Sequence, residues 1–276
     1  MKVQENDNRY IVIRDVIRKK SPRLLQWMPR FVLRYLERIL HENDLNEIMN
    51  NAGHLHGLDF VDAILTKELN VGVKLEGAEN IPLDGGVIFA SNHPLGGLDG
   101  IAFMHAVGKY RTDIKFLVND VLLNIKNLQP LFVPVNTLGP QGRRNSILIE
   151  EAYSDEHALL VFPAGLVSRK RKGIVQDLEW KKSFISKSKK YKKNVVPVYI
   201  DGYNSDFFYN LASLREKVGL KINLEMLYLV DELFALRGQT VSIRIGKPVP
   251  YTEFDTSKSE KEWAAEMKKR VYALAN

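Results

Sequence analysis

The sequence predicts an α/β fold: a mostly parallel central sheet flanked by helices, preceded by an N-terminal helical segment. Three observations predict it. From about Val71, short apolar runs alternate with longer segments of helical periodicity, the pattern of buried strands joined by crossover helices. At 276 residues, 45% hydrophobic and 26% charged, the chain is long and apolar enough to bury a sizeable core. It has no cysteine, which excludes a disulfide framework, a thiolate nucleophile and Cys-type zinc or iron–sulfur sites. The charged start, Met1 to Arg18, holds no apolar core of a secretory signal, and no stretch reaches the roughly 18 apolar residues of a spanning helix. A cytoplasmic protein, soluble or peripheral on a membrane, is expected.

The elements follow in order. Ser21 reads as a helix cap with Pro22 at the first helical position. Leu24, Leu25, Met28, Phe31, Val32, Tyr35, Leu36 and Ile39 then recur at helical spacing, with Arg23, Arg30, Arg34 and Arg38 between them. Pro29 interrupts the pattern, so two shorter helices are expected. The stripe suits packing on a core or the headgroup layer of a bilayer, to which Trp27 is suited. The polar, Gly-containing stretch Asn50–Gly57 separates residues 1–55, an amphipathic helical segment, from an α/β domain over residues 56–276. Within that domain Val87–Ala90, Phe116–Val118, Leu131–Val135, Leu159–Phe162, Val195–Ile200 and Val241–Ile245 read as strands. Gly97–Gly108, Gln141–Tyr153, Gln176–Lys190 and Asn223–Leu236 read as helices. Ser259 and Glu262 form a capping box for a last helix with the stripe Trp263, Met267, Val271 and Leu274.

Charge is concentrated. Ser168 to Lys193 carries eleven basic and two acidic side chains, a net +9, more than the +7 of the whole chain. Such a run is either a solvated helix face or a dock for an anionic partner, a membrane surface or nucleic acid. Trp180, Phe184 and Tyr191 fall on one helix face within it, a packing pattern rather than a base-stacking ladder, and no nucleic-acid partner is expected.

The chemistry gathers after the strand Val87–Ala90, which runs into Ser91-Asn92-His93-Pro94-Leu95-Gly96-Gly97-Leu98-Asp99-Gly100. Open α/β sheets place their sites at the carboxyl ends of strands. A Gly-rich turn lets Asp99 fold back on His93, and a carboxylate on one imidazole nitrogen leaves the other free to take a proton. A buried structural histidine is the competing reading, but it must also explain Asn92, two adjacent glycines and Asp99. His54-Leu55-His56-Gly57-Leu58-Asp59 resembles a metal motif incompletely, with no following histidine, and no metal or resident cofactor is expected. A Gly-x-Ser-x-Gly elbow, a P-loop and a dinucleotide fingerprint are absent.

Asn92-His93…Asp99 resembles the first block of the glycerolipid acyltransferases of the 1-acylglycerol-3-phosphate (PlsC) type, with five residues between His and Asp where that family has four. His-Pro-Leu-Gly-Gly-Leu-Asp-Gly is also similar to a divergent haemolysin-like branch that includes acyltransferases of ornithine and glycine lipids. Phe162-Pro163-Ala164-Gly165-Leu166-Val167-Ser168-Arg169 resembles the third block, Phe-Pro-Glu-Gly-Thr-Arg-Ser-Arg, with Ala164 and Val167 at the Glu and first Arg positions. Val196-Pro197-Val198 resembles the fourth block. Phe132-Val133-Pro134-Val135-Asn136 stands at the second block without its arginine, for which Arg143 and Arg144 are candidates.

The resemblance implies O-acyl transfer from an acyl thioester, on acyl carrier protein or coenzyme A as co-substrate, to the hydroxyl of a lysolipid. His93 is then the general base and Asp99 its orienting partner. Asn92, Gly96, Gly97, Arg143, Arg144, Phe162, Pro163, Gly165, Ser168, Arg169 and Lys170 become the expected substrate-binding residues. Amides near Gly96–Gly97 or Gly165 become candidate oxyanion donors. The missing arginines place lysophosphatidate in competition with an amino-acid-headgroup lysolipid as acceptor, because phosphate favours bidentate arginine. The implied location is the inner face of the cell membrane, with the basic segment on anionic lipid or on acidic carrier protein. The alternative is a non-catalytic basic membrane- or nucleic-acid-binding module on a decayed version of this fold.

Overall fold

The computed structural model describes residues 9–119, 122–136, 142–220 and 223–275. The first eight residues of the charged start, and Gln141, where one helix was expected to open, lie outside them. Five helices come first: α1 (Ile13–Lys20), α2 (Pro22–Trp27), α3 (Arg30–Ile39), α4 (Glu42–Ala52) and α5 (Gly57–Asp62). The Ser21 hydroxyl caps α2 by accepting the Leu24 N–H at 3.4 Å, with Pro22 in the first turn. Pro29 divides the apolar stripe into α2 and α3, because its ring and missing N–H cannot continue a helix. No helix among the described residues is long and apolar enough to cross a membrane.

The body carries β1 (Gly72–Glu76), β2 (Val87–Ser91), α6 (Gly97–Gly108), β3 (Ile114–Val118), β4 (Phe132–Pro134), α7 (Gly142–Ser154) and β5 (Ala158–Val161). A hairpin of β6 (Arg169–Arg171) and β7 (Ile174–Gln176) follows, then α8 (Ser183–Tyr191), β8 (Asn194–Ile200) and α9 (Asp206–Lys217). The chain closes with α10 (Leu229–Ala235), β9 (Thr240–Ile245) and α11 (Glu260–Ala273). Seven strands form one sheet in the order β1-β9-β8-β2-β5-β3-β4, parallel except where β9 meets β8.

Side chains of β2 alternate between the two faces of this sheet. Val87 and Phe89 join the core under α5, α6 and α10, whereas Ile88 and Ala90 join the core under α8 and α11. Each large apolar side chain so buried stabilises the fold by about 1.5–3 kcal/mol. Helix α6 is buried almost all round, through Leu98, Ala102, Phe103, Met104 and Val107, so its position between sheet and outer helices is fixed. Pro134, which cannot donate to a ladder, is tolerated because β4 is the sheet's edge.

The sequence reading and the structure differ in particular places. The helix expected over Gln176–Lys190 begins only at Ser183, because the residues before it form the hairpin and an inward turn around the buried Asp177. Trp180 therefore precedes the helix whose face it was expected to share. Asn223–Leu236 is a 3₁₀ turn, Leu224–Tyr228, followed by the shorter α10. The capping box of Ser259 and Glu262 opens α11, whose Trp263, Met267 and Val271 are buried.

Candidate active site

Strand β2 ends in the middle of the sheet, so the segment after it emerges at the carboxyl edge between β5 and β8. Asn92 fixes that exit: its Nδ2 donates to the Ile200 carbonyl at 2.8 Å and its Oδ1 accepts the Ile200 N–H at 2.7 Å. Both amide atoms of Asn92, expected to meet substrate, thus tie the end of β2 to the end of β8. Gly96 then takes φ of +74°, which L side chains rarely adopt, and starts α6 at Gly97. A Cβ on Gly96 would stand 2.9 Å from the Leu229 side chain.

This bend places Asp99, in the first turn of α6, against His93. His93 Nδ1 lies 2.8 Å from Asp99 Oδ2, which also accepts the main-chain N–H groups of Leu95 at 2.7 Å and Gly96 at 3.1 Å. Asp99 is fully buried, and its Oδ1 has no hydrogen-bond partner among the described residues. Burial pushes the Asp99 carboxyl above the ordinary carboxylate range, against the opposing pull of His93 and the Leu95 amide. The His93 side chain remains 17% exposed, and its Nε2 has no partner among the described residues. Its ring stacks on Phe162 at 4.0 Å between centroids and 12° between planes. Phe162 is itself held edge-on by Phe116. The imidazole is locked in plane by an aromatic ring and in tautomer by a carboxylate, with the second nitrogen facing outward.

The remaining expected residues divide by their partners. Ser168 adjoins His93: its N–H donates to the His93 carbonyl at 2.8 Å, and its hydroxyl donates to Asp177 at 2.6 Å. Gly165 sits in a turn with φ of +69°, its N–H donating to the Phe162 carbonyl, and Pro163 accepts from the Lys181 N–H. The Gly96 and Gly165 amides are therefore occupied, and of the three glycines named as oxyanion donors Gly97, opening α6, remains. Arg169 is buried, donating to Glu225 at 2.9 Å and to the Val167 carbonyl. Burial lowers its proton affinity, which Glu225 offsets. Lys170 pairs with Asp206 at 2.7 Å. Arg143 and Arg144 are exposed on the first turn of α7, which packs on β4 and α8. Ala164 and Val167 are buried among apolar side chains, Val167 beside Phe208 and Tyr209. A cavity of about 460 Å³ lined by Asp84, Glu156 and Lys193 opens at the amino ends of β2 and β8, the far end of the sheet from His93.

Sequence reasoning left Glu225 and Asp177 without a role. Asp177 had one signal: with Trp180, whose indole N–H it accepts at 2.8 Å, it follows the third block at a spacing similar to the haemolysin-like branch, a pattern that a helix start with a buried indole fits equally. Glu225 had none, because its partner Arg169 is 56 residues away in sequence.

The family model described as Acyltransferase matches residues 15–276. The chain is 43% identical over 260 residues to the lyso-glycine lipid O-acyltransferase of Bacteroides thetaiotaomicron, covering 94% of this chain and 95% of that one. It is 41% identical over 265 residues to the protein of the same name from Phocaeicola vulgatus, covering 96% and 95%. Among solved structures it resembles the 1-acyl-sn-glycerophosphate acyltransferase PlsC of Thermotoga maritima, with a TM-score of 0.50 and 20% identity over 95% of this chain and 92% of that one, a likeness of fold. With the family matched over nearly its whole length, the chain belongs to the acyltransferase family and is an acyltransferase.

Proposed function

We propose that the protein transfers a fatty acyl group from a thioester to the hydroxyl of a lysolipid with an amino-acid headgroup. The observation that carries this reading is the 2.8 Å contact of His93 Nδ1 with a buried Asp99, with Nε2 left toward solvent. The acceptor hydroxyl binds at Nε2. His93 takes its proton as the oxygen attacks the thioester carbonyl, the C–S bond breaks, and the thiol leaves with that proton. A carboxylate that burial makes costly to ionise gains most when the facing ring becomes imidazolium, so Asp99 favours the transition state over the resting pair. The first turn of α6 supplies amides for the oxyanion. No acyl-enzyme is needed, and transfer is direct within a ternary complex.

The acceptor class rests on two supports. Relatives 41–43% identical are named for a lyso-glycine lipid. Arg169, the arginine that the third block keeps, is buried on Glu225, which Arg215 also contacts at 3.1 Å, so its guanidinium is committed within the protein rather than offered to a phosphate monoester. The donor is read as acyl carrier protein: Arg171, Lys172 and Lys181 are exposed and, among the described residues, carry no ion pair, a basic patch for an acidic carrier.

Membrane attachment is read from the N-terminal helices. Trp27 and Phe31 are 86% and 73% exposed, beside the exposed Arg23, Arg30 and Arg34. The Tyr35 hydroxyl meets that of Tyr228 at 2.6 Å, and α10 follows directly, its Leu229 and Leu233 against Gly96 and Gly97. That apolar face therefore adjoins the His93 turn, where a lipid-borne hydroxyl has to arrive.

The test is incubation of purified protein with labelled acyl carrier protein or acyl-coenzyme A and a panel of lysolipids, followed by lipid analysis. The expected result is an O-acylated amino-acid lipid formed by the wild type and lost in His93→Ala. Undiminished turnover in His93→Ala removes the mechanism, and preferential acylation of lysophosphatidate removes the acceptor assignment.

A further inference from the structure

The hydrogen bonds that hold His93 extend beyond Asp99. Asp177 follows β7, is 3% exposed, and lies outside the dyad. Its Oδ1 accepts two hydrogen bonds, from the main-chain N–H of His93 at 3.1 Å and from the Ser168 hydroxyl at 2.6 Å. Its Oδ2 accepts the Trp180 indole N–H. Its main chain is fixed as well: the N–H donates to the Tyr272 hydroxyl at 2.7 Å, and the carbonyl accepts from Lys268 Nζ at 2.5 Å.

Ser168 and Asp177 are the two roots of the β6–β7 hairpin, and between them they take both main-chain polar groups of His93. The Ser168 N–H holds the carbonyl and the Asp177 carboxylate holds the N–H. A hairpin of two three-residue strands does not require a buried carboxylate at its base, and burying one is costly unless it is fully hydrogen-bonded. Here three donors satisfy it through charge-assisted bonds, the stronger kind of hydrogen bond. The titratable and charged groups around it are Asp99 on α6, Lys268 and the neutral Tyr272 on α11, and Arg171 on the hairpin. Lys268 reaches the main-chain carbonyl of Asp177 and offsets part of its charge from the α11 side, while the carboxylate oxygens accept from the His93 N–H, Ser168 and Trp180.

We propose that Asp177 is a positioning residue for acyl transfer: it fixes the backbone of His93 so that the imidazole stays aligned on Asp99, and its charge favours the protonated ring formed when the acceptor hydroxyl loses its proton. Burial does most to raise the Asp99 carboxyl, and the Asp177 charge adds to it in the same direction. The proposal rests on His93 as the base, and it names a second buried carboxylate whose effect passes through His93 without touching substrate.

The test uses Asp177→Asn combined with Trp180→Phe. The asparagine keeps one oxygen for His93 and Ser168, and the phenylalanine removes the indole donor that would oppose the new amide. Trp180→Phe alone is the control, and thermal unfolding verifies the fold. Two readouts follow: kcat and KM across pH, and the titration of the His93 ring proton by NMR in the resting protein. Relative to the control, the double variant is expected to lose about tenfold in kcat, as displacement of a catalytic group does, with KM for the acceptor little changed. The acid limb of kcat/KM and the His93 titration midpoint are expected to move to lower pH, because a negative charge that favoured imidazolium is gone. Asp177→Asn alone carries the same titration readout where the double variant does not fold. A His93 titration superimposable on the control overturns the proposal, whatever turnover does. Retained turnover in His93→Ala would overturn the base assignment instead, and the resting-state titration distinguishes the two failures.

Discussion

At the scale of the residue, the site is a buried carboxylate arranged around one imidazole. Asp99 Oδ2 accepts from His93 and two main-chain amides while Oδ1 has no partner among the described residues, so the ionised form is incompletely compensated. Its proton affinity is raised by burial in the folded state, so the native protein binds more protons than the unfolded chain at pH values just above the ordinary carboxylate pKa of about 3.9. Stability then falls as pH rises through that window. Asp99→Asn removes the titration. Urea unfolding between pH 4 and pH 7 should show this decline in the wild type and a flatter profile in the variant, while acyl transfer falls by about 10² to 10⁴. A steeper profile in Asp99→Asn would contradict the assignment. Gly96 gives a second prediction. Its φ is +74°, and an added methyl would stand 2.9 Å from the Leu229 side chain. Gly96→Ala is therefore expected to lose about 1–3 kcal/mol of stability in chemical denaturation and to displace Asp99, lowering kcat with it.

At the scale of the element, what could be read in advance depended on how local its cause was. The β2 exit, the glycine bend and the first turn of α6 span a few consecutive residues, so His93 and Asp99 were recognisable in the sequence as a pair. The same holds for the Ser21 and Ser259 caps and for the break at Pro29. The contact of His93 with Asp177 crosses 84 residues and had no local trace. The β6–β7 hairpin was hidden by its own charge: Arg169, Lys170 and Arg171 belonged to a run read as a solvated helix face or an anionic dock, with Arg169 and Lys170 expected at the substrate, yet Arg169 is buried on Glu225 and Lys170 is paired with Asp206. Strand β1 alternates charged and apolar residues over only five positions, and pairing with β9 from the far end of the chain is what makes it a strand. Helix α2 and the start of α3 illustrate the converse, a legible pattern with an open purpose. Trp27 and Phe31 contribute little to the folded core at their exposure, so Trp27→Ala with Phe31→Ala should leave the melting temperature within a few degrees. Binding to vesicles containing anionic lipid should weaken by about tenfold or more, as expected for two aromatic side chains withdrawn from an interface, and sedimentation with liposomes measures it. Unchanged partitioning would assign the membrane contact to another face.

At the scale of the whole molecule, the sheet order puts the dyad at the centre of the carboxyl edge, and helices on both faces converge on it. Leu229 and Leu233 of α10 pack against Gly96 and Gly97, while Lys268 and Tyr272 of α11 reach Asp177 from the opposite layer. Integrity of the site is therefore linked to integrity of both layers, including contacts remote from it. One such contact joins α7 to α8: Glu150 receives Lys187, Tyr191 and, at 2.9 Å, Lys190. Hydrogen bonds from Lys187, Tyr191 and Lys190 hold the Glu150 carboxyl down at about 2, below its usual value of 4.5. A depressed folded-state value means that the stabilisation is complete above the unfolded pKa and is lost as pH falls from 4.5 toward about 2. With the Glu150 side chain 41% exposed, solvent and salt weaken the effect. Glu150→Gln cannot gain or lose this charge. In thermal melts from pH 7 to pH 2.5, the wild type should therefore be the more stable protein at neutral pH. The two curves should converge as the medium is acidified, and 1 M salt should narrow the gap at neutral pH. Parallel curves across the whole range would mean that the α7–α8 clamp contributes through packing alone.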